Sequence, residues 1–249
     1  MKKFTKILGL GLIALTAFAS LKVEAREIEL LGTSLSPYVR KVKNVLDYKN
    51  LNYKQSEILP RVVLEATGQQ IPENFKKASP LGKIPALTVD NVTIADSAVI
   101  VAYLEKQVPS RRVYPRQAAN YARTLWIEKY ADTVMTDVVH PIFIERVVKP
   151  MVFSSEPDEQ QVSRLAHEEL PKILDYLNQQ LMENGTEYLA TNQMTVADFA
   201  VIHHLIDLDI AEIAWKTGEF SYLERYYQKM INNRLIRNSL PKDFLEKIN

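Results

Sequence analysis

Cysteine is absent from all 249 residues, which removes disulfides, thiolate metal sites and a cysteine nucleophile together. Any thiol chemistry must therefore use a thiol brought from outside. Glycine is scarce, with seven residues, and none falls in a GxxxxGK or GxGxxG arrangement. Nucleotide-phosphate cradles are thereby excluded. The four histidines include no HExxH pair, and adjacent His203 and His204 leave a helix in different directions. They are expected to serve core or surface roles, and no metal site is expected. Neither charge sign is in excess, with 31 Lys and Arg against 30 Asp and Glu, so nucleic acid is not an expected partner.

Apolar residues make up 47% of the chain, enough for well-formed cores. The first residues differ from the rest. Lys2, Lys3 and Lys6 form a basic start, an apolar run extends from Ile7 to Ala19, and Val23, Glu24 and Ala25 place small residues at the cleavage positions. This pattern is expected of a secretory signal peptide over residues 1–25, cleaved after Ala25, in a periplasmic or secreted protein. The run is shorter than the roughly 18 apolar residues of a spanning helix; an uncleaved membrane anchor is the alternative. Cleavage would remove four Lys and one Glu and change the formal charge from +1 to −2.

Downstream, Ile28–Leu31 is a short strand candidate, and Val39, Val42, Val45 and Leu46 recur at helical spacing after Pro37. A second strand is expected from Asn52 to Leu59 and a third from Ile84 to Val89, with a looser segment containing Gly68, Pro72 and Pro80 between them. Asp90 and Asn91 then turn the chain into a hairpin, and a helix follows over 97–107. The order βαβ then ββα predicts an α/β thioredoxin-like domain over 26–107. Two prolines and two arginines within 108–115, without sustained period, mark a linker at 108–116. The rest, 117–249, reads as an all-helical domain with helices near 117–149, 157–183, 195–213 and 219–232, broken at Pro150, Gly185 and Gly218. Thr195 and Asp198 resemble a capping box, and Met194 is placed to staple onto Phe199, a purely structural helix start.

Three segments carry the chemistry: Ser36-Pro37-Tyr38-Val39-Arg40-Lys41-Val42, Gly82-Lys83-Ile84-Pro85 and Asp96-Ser97. Ser36 and Pro37 alone are an ordinary helix start, serine as N-cap and proline at the first helical position. Together with Thr195-Val196-Ala197-Asp198-Phe199-Ala200, they make residues 27–240 resemble the cytosolic-type glutathione transferase superfamily. The opening motif resembles its serine-type bacterial and tau-like members. The resemblance implies a catalytic Ser36 whose hydroxyl holds the glutathione thiolate, a cis-proline turn at Ile84-Pro85 that pairs with the cysteinyl backbone, and Asp96-Ser97 at the γ-glutamyl group. Lys83 is a further candidate, for the glycyl carboxylate. Ser34 is the rival for the sulfur contact; Ser36 is preferred because Pro37 follows it directly. Arg40 and Lys41 also match, and are expected on a charged outer helix face with local ion pairs. Trp126, Tyr130, Phe143 and Phe153 are candidates for a hydrophobic pocket, although aromatics at helical spacing more often belong to the core.

The function so implied is conjugation of glutathione to small hydrophobic electrophiles, a detoxifying chemistry with organic hydroperoxide reduction as a variant. Glutathione is a co-substrate in this scheme; no cofactor is called for. A homodimer is implied by the family. The contrasting possibility is a noncatalytic transferase-like binding or interaction protein of the cell envelope, since a shared fold does not guarantee chemistry.

Overall fold

The computed structural model describes residues 27–248. The expected leader lies outside the described residues. Four strands, β1 (Ile28–Leu31), β2 (Lys54–Ser56), β3 (Ala86–Val89) and β4 (Val92–Ala95), form one mixed sheet in the order β2-β1-β3-β4. β1 pairs parallel with β2 through the crossover helix α1 (Pro37–Tyr48), and antiparallel with β3. The β3–β4 hairpin turns at Asp90, whose φ of 52° is the left-handed geometry that Asp and Asn tolerate. α4 (Ser97–Gln107) follows. The α/β thioredoxin-like fold and the helical half after it match the expectation.

The segment between β2 and β3 is more regular than its Gly and Pro content suggests. It holds two short helices, α2 (Arg61–Ala66) and α3 (Glu73–Ala78), started by Pro60 and Pro72 at their N-caps. Leu64, Phe75 and Ala78 bury against Leu31, Ile58 and Ala86 in a small second core. Six residues are too few for a periodic pattern to stand out, so the prolines read as breakers when they are starters.

The helical half begins with α5 (Ala118–Tyr130), which runs without interruption through a π-helical turn (Ala131–Met135), α6 (Thr136–Phe143) and a longer π segment (Ile144–Phe153). The expected break at Pro150 does not occur. Wider π hydrogen bonding accommodates a residue without an N–H, and the helix ends instead at Ser154, at φ 50°. After α7 (Glu159–Arg164) and a third π turn come α8 (Leu170–Asn184), α9 (Val196–Ile210) and α10 (Ser221–Ile231), then two short helices, α11 (Arg234–Ser239) and α12 (Lys242–Lys247). α9 is the axis of this half: all but one of its fifteen residues are buried, as expected of a helix with apolar residues on every side. Its start is capped as the sequence suggests, the Asp198 carboxylate accepting from Thr195 N at 2.8 Å and Leu189 N at 3.0 Å.

The largest departure from expectation is at Arg40 and Lys41. Neither faces solvent; both are buried and reach into the helical half. Arg40 forms an ion pair with Asp207 of α9 and donates to the His203 carbonyl at 3.2 Å. The Lys41 ammonium lies 2.7 Å from Asp132 and 3.3 Å from Glu128. On the same flank, the Asn44 side chain donates to the Leu235 carbonyl at 2.7 Å and accepts from His203 Nε2 at 2.6 Å. α1 is therefore covered twice, by the sheet on its apolar face and by α9 on its polar one.

Burial keeps His203 and His204 neutral, His204 being pushed down to about 3, and it lowers His140 as well. The unfolded chain protonates these rings near pH 6.5, and the folded one does not. Stability present above that value is therefore lost as pH falls, by up to about 1.4 kcal/mol per pH unit for each ring. Asp198 and Asp207 act in the opposite sense. Burial raises both to about 6, so below that pH the folded state takes up protons before the unfolded chain does. Urea melts at pH 7, 6 and 5 are expected to show stability falling over both steps, with the two acids offsetting a larger share of the histidine loss over the second. A flat profile from 7 to 6 would mean that the rings are not held neutral.

Candidate functional site

The site begins where β1 meets α1. Gly32 ends β1 at φ 148°, and a Cβ there would stand 2.6 Å from Val39 Cγ2 and 3.2 Å from Ile84 Cβ. No side chain fits without moving one of them. This close approach brings the start of α1 beside the turn into β3. The Ile84–Pro85 peptide is cis. Because Ala86 pairs with Ala95 across the hairpin, one further step along the register sets Pro85 beside Asp96, at the entry to α4.

Ser36 is the N-cap of α1, its Oγ accepting from Val39 N at 3.5 Å. That distance is at the outer limit of a hydrogen bond. Among the described residues no acceptor takes the Ser36 hydroxyl proton, so it is free for another partner. Ser34, the rival, is more deeply buried, and its Oγ accepts from Lys43 Nζ at 2.8 Å and Gln55 Nε2 at 3.0 Å, although its own proton also has no acceptor among the described residues. Asp96 is the N-cap of α4, one Oδ accepting from Ala98 N at 2.9 Å and Val99 N at 3.2 Å. Its φ of 72° and ψ of 130° are a conformation that L-residues rarely adopt, a strain of about 1–3 kcal/mol of the kind found at ligand clamps. Ser97 is buried behind it, at the first position of α4.

A cavity of about 680 Å³ opens here, between the two halves, within the ~300–1,000 Å³ range of small-molecule sites. Lys83, Ile84, Pro85, Asp96 and Ser97 all line it, along with Tyr38, Leu81 and Ala98. The opposite wall comes from α5, the π turn after it and the start of α6: Leu125, Glu128, Lys129, Asp132 and Thr136. Ser36 is not among the lining residues; Tyr38, two positions on, is. The π turn, frequent at functional sites, lies where this helix passes the cavity. No sequence signal announces such a turn.

None of the four candidate aromatics lines the cavity. Trp126 and Tyr130 stack with each other and, through Tyr130, with Tyr176 of α8; Phe143 is in the core against Phe244; Phe153 is partly exposed at the end of the π segment. The wall opposite Pro85 is more polar than the sequence suggests. Charged residues spaced one turn apart, such as Glu128 and Asp132, read as a solvated face when no partner is in view.

Residues 30–112 match a family model described as the glutathione S-transferase N-terminal domain, and residues 143–240 match the glutathione S-transferase C-terminal domain. The chain belongs to the glutathione S-transferase family. "Glutathione S-transferase 3" of Zea mays is 30% identical over 69% of this chain and 73% of the relative. "Maleylacetoacetate isomerase" of Mus musculus is 24% identical over 65% of this chain and 69% of the relative. Among solved structures, a glutathione S-transferase from Rhodospirillum rubrum F11 superposes with a TM-score of 0.75 and 23% identity, over 89% of this chain and 100% of that one. This last likeness concerns the fold.

The arrangement of this glutathione S-transferase family member suits a short peptide. A backbone edge at Ile84 and a helix start at Ser97, whose hydroxyl has no partner among the described residues, line one interdomain cleft; the helix start at Ser36 is outside the lining, two residues before Tyr38, which is in it. A peptide there would find main-chain partners, a positive helix end for a carboxylate, and a donor for an anionic atom.

Proposed function

We propose that the protein is a glutathione transferase that holds the glutathione thiol as a thiolate through Ser36. The observation that carries this reading is the cavity that joins the cis Ile84–Pro85 peptide, the buried Ser97 and the second-half helix. Glutathione lies extended along Ile84 and Pro85, pairing with the main chain as an added strand does. Its γ-glutamyl carboxylate meets the Ser97 end of α4. Asp96 already occupies the amides of Ala98 and Val99 with one oxygen; its other oxygen is left for the ligand's ammonium. Lys83, exposed at the rim, is the partner for the glycyl carboxylate.

A free thiol has a pKa near 8.5, so at pH 7 only a few per cent is nucleophilic. A charge-assisted hydrogen bond from Ser36, with the positive end of α1 behind it, favours the thiolate. Each unit of depression needs about 1.4 kcal/mol of such preference, which these two effects are of the right size to supply. The thiolate sulfur then bonds to the electrophilic carbon of a small molecule in the cleft, and the electron pair leaves with the displaced group. Reduction of organic hydroperoxides by the same thiolate is a variant.

Glutathione at 100 times its dissociation constant is expected to stabilise the protein by about 2.7 kcal/mol, read as a raised Tm, and the protein is expected to conjugate aryl halides. No shift at millimolar glutathione together with no conjugation would sink the reading and favour a noncatalytic binding module. The same proposal includes a homodimer, supported by exposed Leu81 and Val99 beside the cleft and by β4 standing at the sheet edge, and testable by sedimentation. It also includes export to the periplasm, for which N-terminal sequencing of the mature protein is the check.

A further inference from the structure

Tyr38 is the residue of the opening motif that the thiol chemistry leaves unused. It stands at the second position of α1, lines the cavity, and its hydroxyl lies 2.5 Å from Thr136 Oγ1 on the opposite wall. The direction of that hydrogen bond follows from what Thr136 does elsewhere. Its hydroxyl sits 2.9 Å from the Ala131 carbonyl, at the start of the π turn, and donates to it. A threonine hydroxyl has one proton; with that proton given to Ala131, Thr136 has to accept from Tyr38. The phenol proton is thus committed, and what Tyr38 turns to the cleft is an oxygen with lone pairs.

The surroundings act in the same sense. Burial raises the Tyr38 hydroxyl to about 12, and Asp132, Asp207 and Asp137 add to the rise. At neutral pH the phenol keeps its proton and sits in a negative field. Asp132, one turn before Thr136, is an acceptor on the same wall, and it shares the single ammonium of Lys41 with Glu128. Lys129 is exposed on this wall, where water solvates its charge.

We infer that Tyr38 selects the second substrate, by accepting a hydrogen bond from a hydroxyl, amide N–H or ammonium that the electrophile carries. This rests on the glutathione transferase reading and narrows it: the preferred electrophile bears a donor group beside its reactive carbon. A purely apolar acceptor leaves the Tyr38 oxygen unpaired in a partly desolvated cleft, and a carboxylate-bearing one meets the lone pairs and the negative field. Discrimination by one such hydrogen bond is about tenfold.

The test uses three aryl-halide acceptors that differ only in a methyl, hydroxymethyl or methoxymethyl substituent, with glutathione as co-substrate and the full chain as enzyme. The wild-type protein is expected to prefer the hydroxymethyl compound over the other two by about tenfold in kcat/KM. Tyr38→Phe is expected to reduce that ratio to near one while the glutathione-induced Tm shift persists. Thr136→Val leaves the phenol proton without its acceptor; the preference is expected to move toward the methoxymethyl compound, which no merely structural role of Thr136 would produce. Equal rates on all three compounds in the wild type, or a hydroxymethyl preference that survives Tyr38→Phe, overturn the inference. A wild-type preference for the methoxymethyl compound does so too, because Tyr38 would then be a donor. Failure of glutathione to shift the wild-type Tm overturns the underlying reading instead, and the two failures are thereby told apart.

Discussion

Replacing Arg40 with methionine is expected to lower the free energy of unfolding by about 3–5 kcal/mol, the largest stability effect of any single exchange between the two halves. The guanidinium is fully buried against α9, ion-paired with Asp207 and bonded to the His203 carbonyl. Methionine replaces much of the volume but leaves the Asp207 carboxylate in the core without its partner, and an unpaired buried charge is what makes such variants costly. Asp207 then protonates more readily, so the deficit is expected to shrink as pH falls toward 5. Arg40→Met combined with Asp207→Leu removes both charges and is expected to recover most of the loss, because a buried pair contributes little over well-packed apolar groups. Urea melts of the two variants at pH 7 test this; equal instability of the single and double variants would place the cost in packing, not in the orphaned charge.

The role of Arg40 marks the boundary of what the sequence makes legible. Period and turn chemistry suffice for β1, α1, the β3–β4 hairpin and α4, because each needs only residues a few positions apart. Asp90 at the turn and Ser36 before Pro37 are examples. The partners of Arg40 and Lys41 are Asp207, Asp132 and Glu128, between 87 and 167 residues away. Nothing local distinguishes a cation that reaches a distant acid from one in water, so the polar face of α1 reads as an outer face. The same limit hides the polar wall of the cavity. Lys83, Ile84, Pro85, Asp96 and Ser97 belong to two short motifs and are found together, whereas Tyr38 and Thr136, 98 residues apart, meet only across the cleft. α2 and α3 are missed for a different reason, being too short to show a period.

Ser36→Ala is expected to lower kcat/KM for conjugation by about 10²–10³, the size of effect seen when one donor to a developing or resident anion is removed. Ser36 is also a helix cap, and the two roles must be separated. Loss of an N-cap costs about 1 kcal/mol of stability, less here because the bond to Val39 N is stretched to 3.5 Å. A weakened α1 alone cannot account for a hundredfold loss in a protein that remains folded. Ser36→Asp makes the distinction sharper. Its carboxylate caps the helix as well as or better than serine and complements the helix dipole, but it has no proton to donate at neutral pH and repels a thiolate. Its stability is expected to equal or exceed that of the wild type while conjugation falls at least as far as in Ser36→Ala. Ser36→Thr, which restores both cap and donor, is expected to keep much of the activity. The pH dependence supplies the second readout: the alkaline-rising limb of kcat/KM for the electrophile at saturating glutathione reports the thiol pKa in the site, and it is expected to move upward in Ser36→Ala toward the free value near 8.5. An unmoved limb with an unchanged rate would leave Ser36 as a cap alone, and the thiolate would need another donor.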